Sequence, residues 1–178
     1  MQKWTLYLVL LAMVLLLPVS CEKNDPGVTG GVELYLLESY ETADGPCQIG
    51  CRIDRSTAEL EKQPLICYSD FLSYDPDEHV FGISEQAMET IENIEHSVHG
   101  VAFGVTAGDE LVYTGYFWPG YSSATCDWII IDPIWLYQGN ELKVQLGYPG
   151  MMEGWEIPDK RNDPRILAIF RRDGKLIE

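Results

Sequence analysis

Residues 101–118 read VAFGVTAGDELVYTGYFW and form the centre of the predicted fold. Two apolar runs, 101–106 and 111–118, show the period-two alternation that is typical of β-strands. Between them, residues 107–110 read AGDE, a short sequence suited to a turn. The segment therefore predicts a β-hairpin.

An amphipathic helix is predicted just ahead of this hairpin. Ser84 has the side chain of an N-cap, and Glu85 would lie in the first turn, where free amides and the helix dipole favour an acid. Apolar residues then recur at helical spacing, with acids on the opposite face. The apolar residues are Ala87, Met88, Ile91, Ile94 and Val98, and the acids are Glu89, Glu92 and Glu95. Gly100 predicts the end of the helix.

Shorter apolar runs elsewhere predict further strands. They are residues 32–38, 64–68, 79–83 and 128–131, a second hairpin over 134–137 and 142–146, and a final short element at 165–170. One helix among many antiparallel strands predicts an α+β fold, in which the helix packs on one face of a mainly antiparallel sheet. Residues 32–178 are expected to form a single domain.

The first residues predict export. Lys3 precedes an apolar run over 6–17, which is too short to cross a bilayer as a helix. The run ends in LPVSC at Cys21, and a small residue directly before a cysteine at this depth resembles the lipobox of bacterial lipoproteins, although Pro18 replaces the usual leucine. That resemblance implies cleavage after residue 20 and acylation of Cys21. The alternative is an ordinary signal peptide. Polar residues 21–31 predict a flexible tether.

The charge of the chain excludes some partners. There are 12 Lys and Arg against 28 Asp and Glu, which gives a formal net charge of −16. So acidic a chain argues against nucleic acid and against peripheral binding to anionic lipid, since both need basic patches. Attachment to the membrane is therefore expected through the lipid on Cys21.

Four further cysteines, Cys47, Cys51, Cys67 and Cys126, are candidates for disulfides, because an even number in an exported chain favours such bonds. Three pairings are open. One would close the short loop from Cys47 to Cys51 and leave Cys67 with Cys126. A zinc site would need paired short spacings or nearby histidines, so no metal and no cofactor is predicted.

Catalytic residues are harder to assign. Residues 120–124, GYSSA, are close to a nucleophile elbow, but a predicted strand follows them where an elbow needs a helix. A hydrolase could still assemble Ser122 or Ser123 with His79 and Asp70 in space. The simpler interpretation is that both serines bind the turn's main chain, so no catalytic residue is predicted.

Other polar and aromatic residues are candidates for binding. His79 begins a strand, and Arg165 is one of few cations, so each could meet a ligand, although a structural hydrogen bond and a carboxylate partner are the alternatives. Tyr116 and Trp118 share one face of their strand, near Tyr121. If exposed, these three aromatics would form a stacking surface for a sugar or an anchor for a protein. The alternative is that a loop covers them.

The middle of the chain also resembles an uncharacterised group of exported lipoproteins from Bacteroides-type bacteria. The shared segments are PLICYSDFLSYD, HVFGIS, GVAFGV, VYTGYFW, the serine pair and the DPRI of RNDPRIL, across most of residues 32–171. The resemblance implies export and lipidation, and no activity is established for that group.

Together these patterns predict a lipid-anchored protein of the bacterial cell envelope, in the periplasm or on the outer surface. The leading hypothesis is a non-enzymatic domain that binds an unknown protein or glycan partner. The alternatives are the hydrolase described above and a structural component of an envelope complex.

Overall fold

The computed structural model describes residues 30–43, 51–95, 97–134 and 139–178. Within these ranges the chain forms eight strands and two α-helices. The strands are Val32–Ser39 (β1), Glu59–Leu60 (β2), Phe71–Asp75 (β3), Val80–Ile83 (β4), Val101–Ala107 (β5), Glu110–Phe117 (β6), Cys126–Ile131 (β7) and Glu141–Tyr148 (β8). The helices are Glu85–Glu92 (α1) and Pro164–Arg172 (α2). The predicted signal, Cys21 and Cys47 lie outside the described residues.

All eight strands belong to one sheet in the order β2-β1-β5-β6-β7-β8-β4-β3. Neighbouring strands are antiparallel except β6 and β7, which run parallel. The sheet-dominated α+β fold is therefore confirmed, but the sheet is mixed. The parallel pair arises because residues 118–125 connect the end of β6 to the start of β7 without forming a hairpin.

The central hairpin is confirmed. β5 and β6 pair from Val101 opposite Phe117 to Ala107 opposite Glu110, with one irregularity after Val105. β1 lies on the other side of β5 and begins with Val32 opposite Ala107. The period-two pattern in the sequence predicted both strands, because successive side chains of a strand point to opposite faces.

Both faces of the sheet are buried, and they carry two hydrophobic clusters. The first cluster contains Phe103 and Phe117 from the hairpin together with residues of both helices. The second cluster lies on the opposite face under the segment 51–58. Its buried members are Cys51, Ile53, Ala102, Tyr116, Trp118, Cys126 and Ile130.

The helices begin where the sequence provides caps. In α1 the Ser84 hydroxyl accepts a hydrogen bond from Ala87 N at 3.1 Å, as predicted. The helix is shorter than the apolar pattern suggested and ends at Glu92. α2, predicted only as a short element, is capped by Asp163 and starts with Pro164, whose fixed φ suits the first helical position. Neither helix, nor any other in the described ranges, is long and apolar enough to cross a membrane.

The strand predicted over 64–68 was wrong, whereas of the second predicted hairpin the strand at 142–146 is confirmed as part of β8. Of residues 64–68, only Ile66 forms a bridge, to Leu34, and residues 68–70 are a 3-10 turn that leads into β3. The second hairpin is also different, because β8 pairs with β7 and β4. Its other predicted arm lies mostly outside the described residues.

Candidate functional site

The segment after β6 folds back over the end of the sheet. Asp132, just beyond β7, accepts hydrogen bonds through Oδ1 from Gly120 N at 3.1 Å and from Ile134 N at 3.0 Å. The Tyr148 hydroxyl donates to Gly120 O at 2.7 Å. These contacts fix the Pro119-Gly120 turn against the neighbouring strands and place Tyr121 at its tip.

Ser122 is bound to the main chain on both sides. Its hydroxyl donates to Val98 O at 2.7 Å and accepts from Ala124 N at 3.2 Å. The side chain is buried, and its proton is already held by a carbonyl. This is the arrangement of a turn serine and not of an activated nucleophile, which needs a base at that distance.

The other residues of the hypothetical hydrolase lie elsewhere in the network. Asp70 accepts the Ser84 hydroxyl at 2.8 Å, next to the start of α1. His79 lies in the turn between β3 and β4. No hydrogen bond in the described part of the chain joins either residue to Ser122 or Ser123.

Two of the three candidate aromatics are not exposed. Tyr116 and Trp118 retain 4% and 1% of their accessible surface, so the stacking surface predicted from them is wrong. The physical reason is that segment 51–58 covers this face of the sheet and packs Ile53 into the same cluster. Tyr121, by contrast, is 62% exposed.

Tyr121 has apolar neighbours that are also exposed. Val98 is 51% exposed and its carbonyl holds Ser122, whereas Ile134 is 40% exposed and its amide shares Asp132 with Gly120. We call Val98, Tyr121 and Ile134 the apolar patch. The sequence pointed to Tyr121 alone, because the other two come from separate loops that only the fold brings together.

The apolar patch lies at one end of the sheet. It adjoins the end where Val101 faces Phe117. The chain enters the fold at the opposite end, where Gly108 N donates to Gly31 O at 2.8 Å and Val32 faces Ala107. β5 spans about 20 Å between these ends at the usual rise of a strand. The patch is therefore remote from the point at which the N-terminal segment enters.

The main chain of His79 takes part in the turn between β3 and β4. Its φ of +55° lies in the left-handed region, and its carbonyl accepts from Val144 N at 2.9 Å. The preceding turn is held by Asp75 Oδ1, which accepts from Asp77 N and Glu78 N. His79 Nδ1 is buried and has no hydrogen-bond partner among the described residues.

Arg165 is occupied by carboxylates. It donates to both oxygens of Asp163, at 2.8 and 2.9 Å, and also contacts Glu110. These bonds raise the pKa of the guanidinium above its usual value and lower the pKa of Asp163. The arginine therefore joins the start of α2 to β6, as expected of a cation with carboxylate partners.

Cys67 and Cys126 do not form a disulfide with each other. Cys67 is disulfide-bonded, and its partner lies outside the described residues. Cys126 is a buried thiol that contacts Cys51. No two cysteines within the described ranges lie at disulfide distance.

Two clefts were not foreseen from the sequence. One of about 530 Å³ lies beside β4 and β8 and is lined by acidic Asp75, Glu78 and Glu141, with Lys143 bound to Glu78 at 3.0 Å. Another of about 500 Å³ lies between Arg52 and Trp128. Among the described residues, no group of three His, Cys, Asp or Glu side chains is placed to hold a metal ion.

Comparison with protein-family models, with curated proteins and with solved structures gives no significant match to this chain.

Proposed function

We propose that this protein is a lipid-anchored, non-enzymatic domain of the bacterial cell envelope that binds a protein partner through the apolar patch. The observation that carries the proposal is the exposure of Tyr121, Val98 and Ile134 together at one end of the sheet. Exposed apolar groups that adjoin one another are typical of interaction sites, and tyrosine is enriched among residues that dominate binding energy.

The position of the patch supports this role. An anchor on Cys21 would reach the fold through residues 22–29 and enter at Gly30 and Gly31, beside the turn between β5 and β6. The patch lies at the other end of these strands, remote from the point where the tether joins the fold, so attachment through Cys21 leaves the patch free to meet a partner. This position suits a protein partner in the surrounding envelope.

The chemistry of the patch favours a protein over a glycan. A sugar-binding surface needs a flat aromatic ring together with polar groups that bind hydroxyls. Tyr121 is instead accompanied by two aliphatic side chains, and the nearby polar groups of Ser122 and Asp132 are used by the main chain. The same use of the Ser122 hydroxyl argues against hydrolysis.

Site-specific crosslinking in native membranes tests the proposal. A photoreactive amino acid placed at Tyr121 should give a crosslinked species of defined mass. The matched control is Leu72, which is 56% exposed on β3 and lies outside the patch. A photoreactive residue at Val98 should crosslink to the same partner. Adding Tyr121→Arg to that variant should abolish its product.

Equal products from positions 121 and 72, or no product from position 121, would contradict the proposal. A product with carbohydrate in place of protein would move the assignment to the glycan alternative.

A further inference from the structure

Cys51 and Cys126 meet in the second hydrophobic cluster. Cys51 is the first described residue of the segment 51–58, and Cys126 is the first residue of β7. They are 3% and 0% exposed, although 74 residues separate them in the chain. Both side chains belong to the same buried cluster.

Contacts on both sides of the two cysteines hold Cys51 next to Cys126. Cys51 Sγ lies 3.7 Å from Thr125 O, immediately before Cys126. Arg52 Nε donates to Asp127 Oδ2 at 3.0 Å, immediately after the two cysteines. Two successive residues of one segment therefore bind three successive residues of the other. This alignment places Cys51 beside Cys126.

We propose that Cys51 and Cys126 form a disulfide in the exported protein, which fastens segment 51–58 to the start of β7. The inference rests on the proposed export, because disulfides persist in oxidising compartments. In the reaction the two thiols lose two electrons and two protons and form one S–S bond. A protein or glutathione disulfide accepts them and becomes two thiols.

The surroundings determine when this bond forms. The hydrogen bond with Cys51, followed by burial, raises the pKa of the Cys126 thiol far above its usual value. Exchange requires a thiolate and access to it, and the folded protein offers neither. The bond must therefore form during folding, before segment 51–58 closes, and it is then protected from reductants.

The disulfide would also help to keep Tyr116 and Trp118 buried. Tyr116 and Trp118 lie in the same buried cluster as Cys51 and Ile53 of segment 51–58. A covalent link at Cys51 keeps that cover in place. Without it, this face of the sheet would be held by the Arg52–Asp127 ion pair and by apolar packing.

Peptide mapping without reduction tests the pairing. Trypsin is unsuitable, because no Lys or Arg lies between Lys62 and Lys143 and Cys67 would stay on one peptide with Cys126. Cleavage after glutamate places the cysteines on peptides 42–59, 62–78 and 111–141. In a Cys47→Ser variant, peptide 42–59 carries Cys51 alone. The full-length protein would be denatured, alkylated and then cleaved.

We expect peptide 42–59 linked to peptide 111–141, both in protein isolated from the envelope and in reduced protein refolded in a glutathione redox buffer. The refolding arm needs no export, so it tests the pairing even if the proposed location fails. Cys126→Ala should remove the link and lower the Tm by about 10 °C. Alkylation of Cys51 and Cys126 in the refolded protein, or a link from Cys51 to peptide 62–78, would overturn the proposal.

Discussion

Two buried tyrosines in the first cluster differ in how their hydroxyl groups are satisfied. The Tyr74 hydroxyl shares its proton between Arg161 O at 2.9 Å and Asn162 Oδ1 at 2.8 Å. The Tyr113 hydroxyl is equally buried but has no hydrogen-bond partner among the described residues. Burial raises the pKa of both phenols, so each stays neutral at any ordinary pH.

This difference predicts opposite results for the same substitution. Tyr74→Phe should lower the free energy of unfolding by about 1 kcal/mol, because Arg161 O and Asn162 Oδ1 lose their donor. Tyr113→Phe should change it by less than about 0.5 kcal/mol or raise it, since a buried polar group without a partner is removed. Urea unfolding of the two variants measures both values. Equal losses of unfolding free energy in the two variants would contradict this difference in hydrogen bonding.

Asp173 provides a pH-dependent contribution at the C-terminal end of α2. Arg172 donates to its carboxylate at 2.6 and 2.8 Å, and the Tyr68 hydroxyl donates at 2.7 Å. These hydrogen bonds lower the pKa of Asp173 to about 2 from the ordinary 3.8. The folded state therefore binds this proton more weakly than the unfolded chain does. The resulting stabilisation is complete above about pH 4 and is lost as the pH falls towards 2.

Asp173→Asn should accordingly lower the Tm at about pH 6 and have little effect near pH 2. Thermal unfolding followed by circular dichroism across this range measures the difference. Tyr68→Phe, which removes the weaker of the two kinds of donor, should give a smaller change of the same sign. A difference between Asp173→Asn and the parent that is constant with pH would refute the linkage.

At the scale of elements, two ion pairs differ in burial. The pair of Arg52 with Asp127 joins segment 51–58 to β7, and the Asp127 side chain is fully buried. The pair of Lys143 with Glu78 joins β8 to the turn before β4, and both side chains are about half exposed or more. Buried charges are costly when left alone, whereas exposed pairs contribute little.

Arg52→Ala should therefore lower the free energy of unfolding by about 3 kcal/mol, because it leaves a buried carboxylate without its partner. Lys143→Ala is the matched control and should cost about 0.5 kcal/mol or less. Chemical denaturation of both variants at neutral pH measures the two costs. A loss for Lys143→Ala as large as that for Arg52→Ala would show that burial does not govern these pairs.

The Ser84 cap at the start of α1 also contributes to stability. Ser84→Ala should destabilise the fold by about 1 kcal/mol, since Ala87 N loses its acceptor and Asp70 loses a donor. Ser84→Thr, measured in the same way, keeps a hydroxyl for both bonds and should stay close to the parent chain. A stability unchanged in Ser84→Ala would contradict the role of the cap.

For the whole molecule, the anchor and the fold should be independent. Cys21→Ser should move the protein from the membrane fraction to the soluble fraction, because acylation needs the thiol. Its Tm should stay within about 1 °C of the parent chain solubilised in detergent, since residue 21 lies ahead of the first strand. Fractionation and immunoblotting measure the first effect. Retention of the variant in membranes would count against lipid anchoring.

Much of the fold could be predicted because its central signals are local. The alternation in residues 101–118 predicted β5 and β6, and Ser84 predicted the start of α1. The parallel pairing of β6 with β7 could not be predicted, because it depends on the path of residues 118–125 over the sheet end. Nor could the end of α1 at Glu92, because the helical periodicity continues to Val98 while the chain already turns towards β5.

The candidate site shows the same division. Tyr121 follows Pro119 and Gly120, and such a turn lies at the surface for local reasons. Its neighbours Val98 and Ile134 were not recognised, since they come from the loops before β5 and after β7. Arg165 was recognised as a cation in need of a partner, but Glu110 could not be identified as one from a distance of 55 residues.

Strand periodicity predicted that Tyr116 and Trp118 share one face of β6 and that Phe117 takes the other. Backbone geometry alone dictates that alternation. That this face is core and not a binding surface follows from the tertiary structure, because Cys51 and Ile53 lie far away in the chain and join Tyr116 and Trp118 in one buried cluster. Local periodicity tells which side chains lie together, whereas long-range packing decides whether water reaches them.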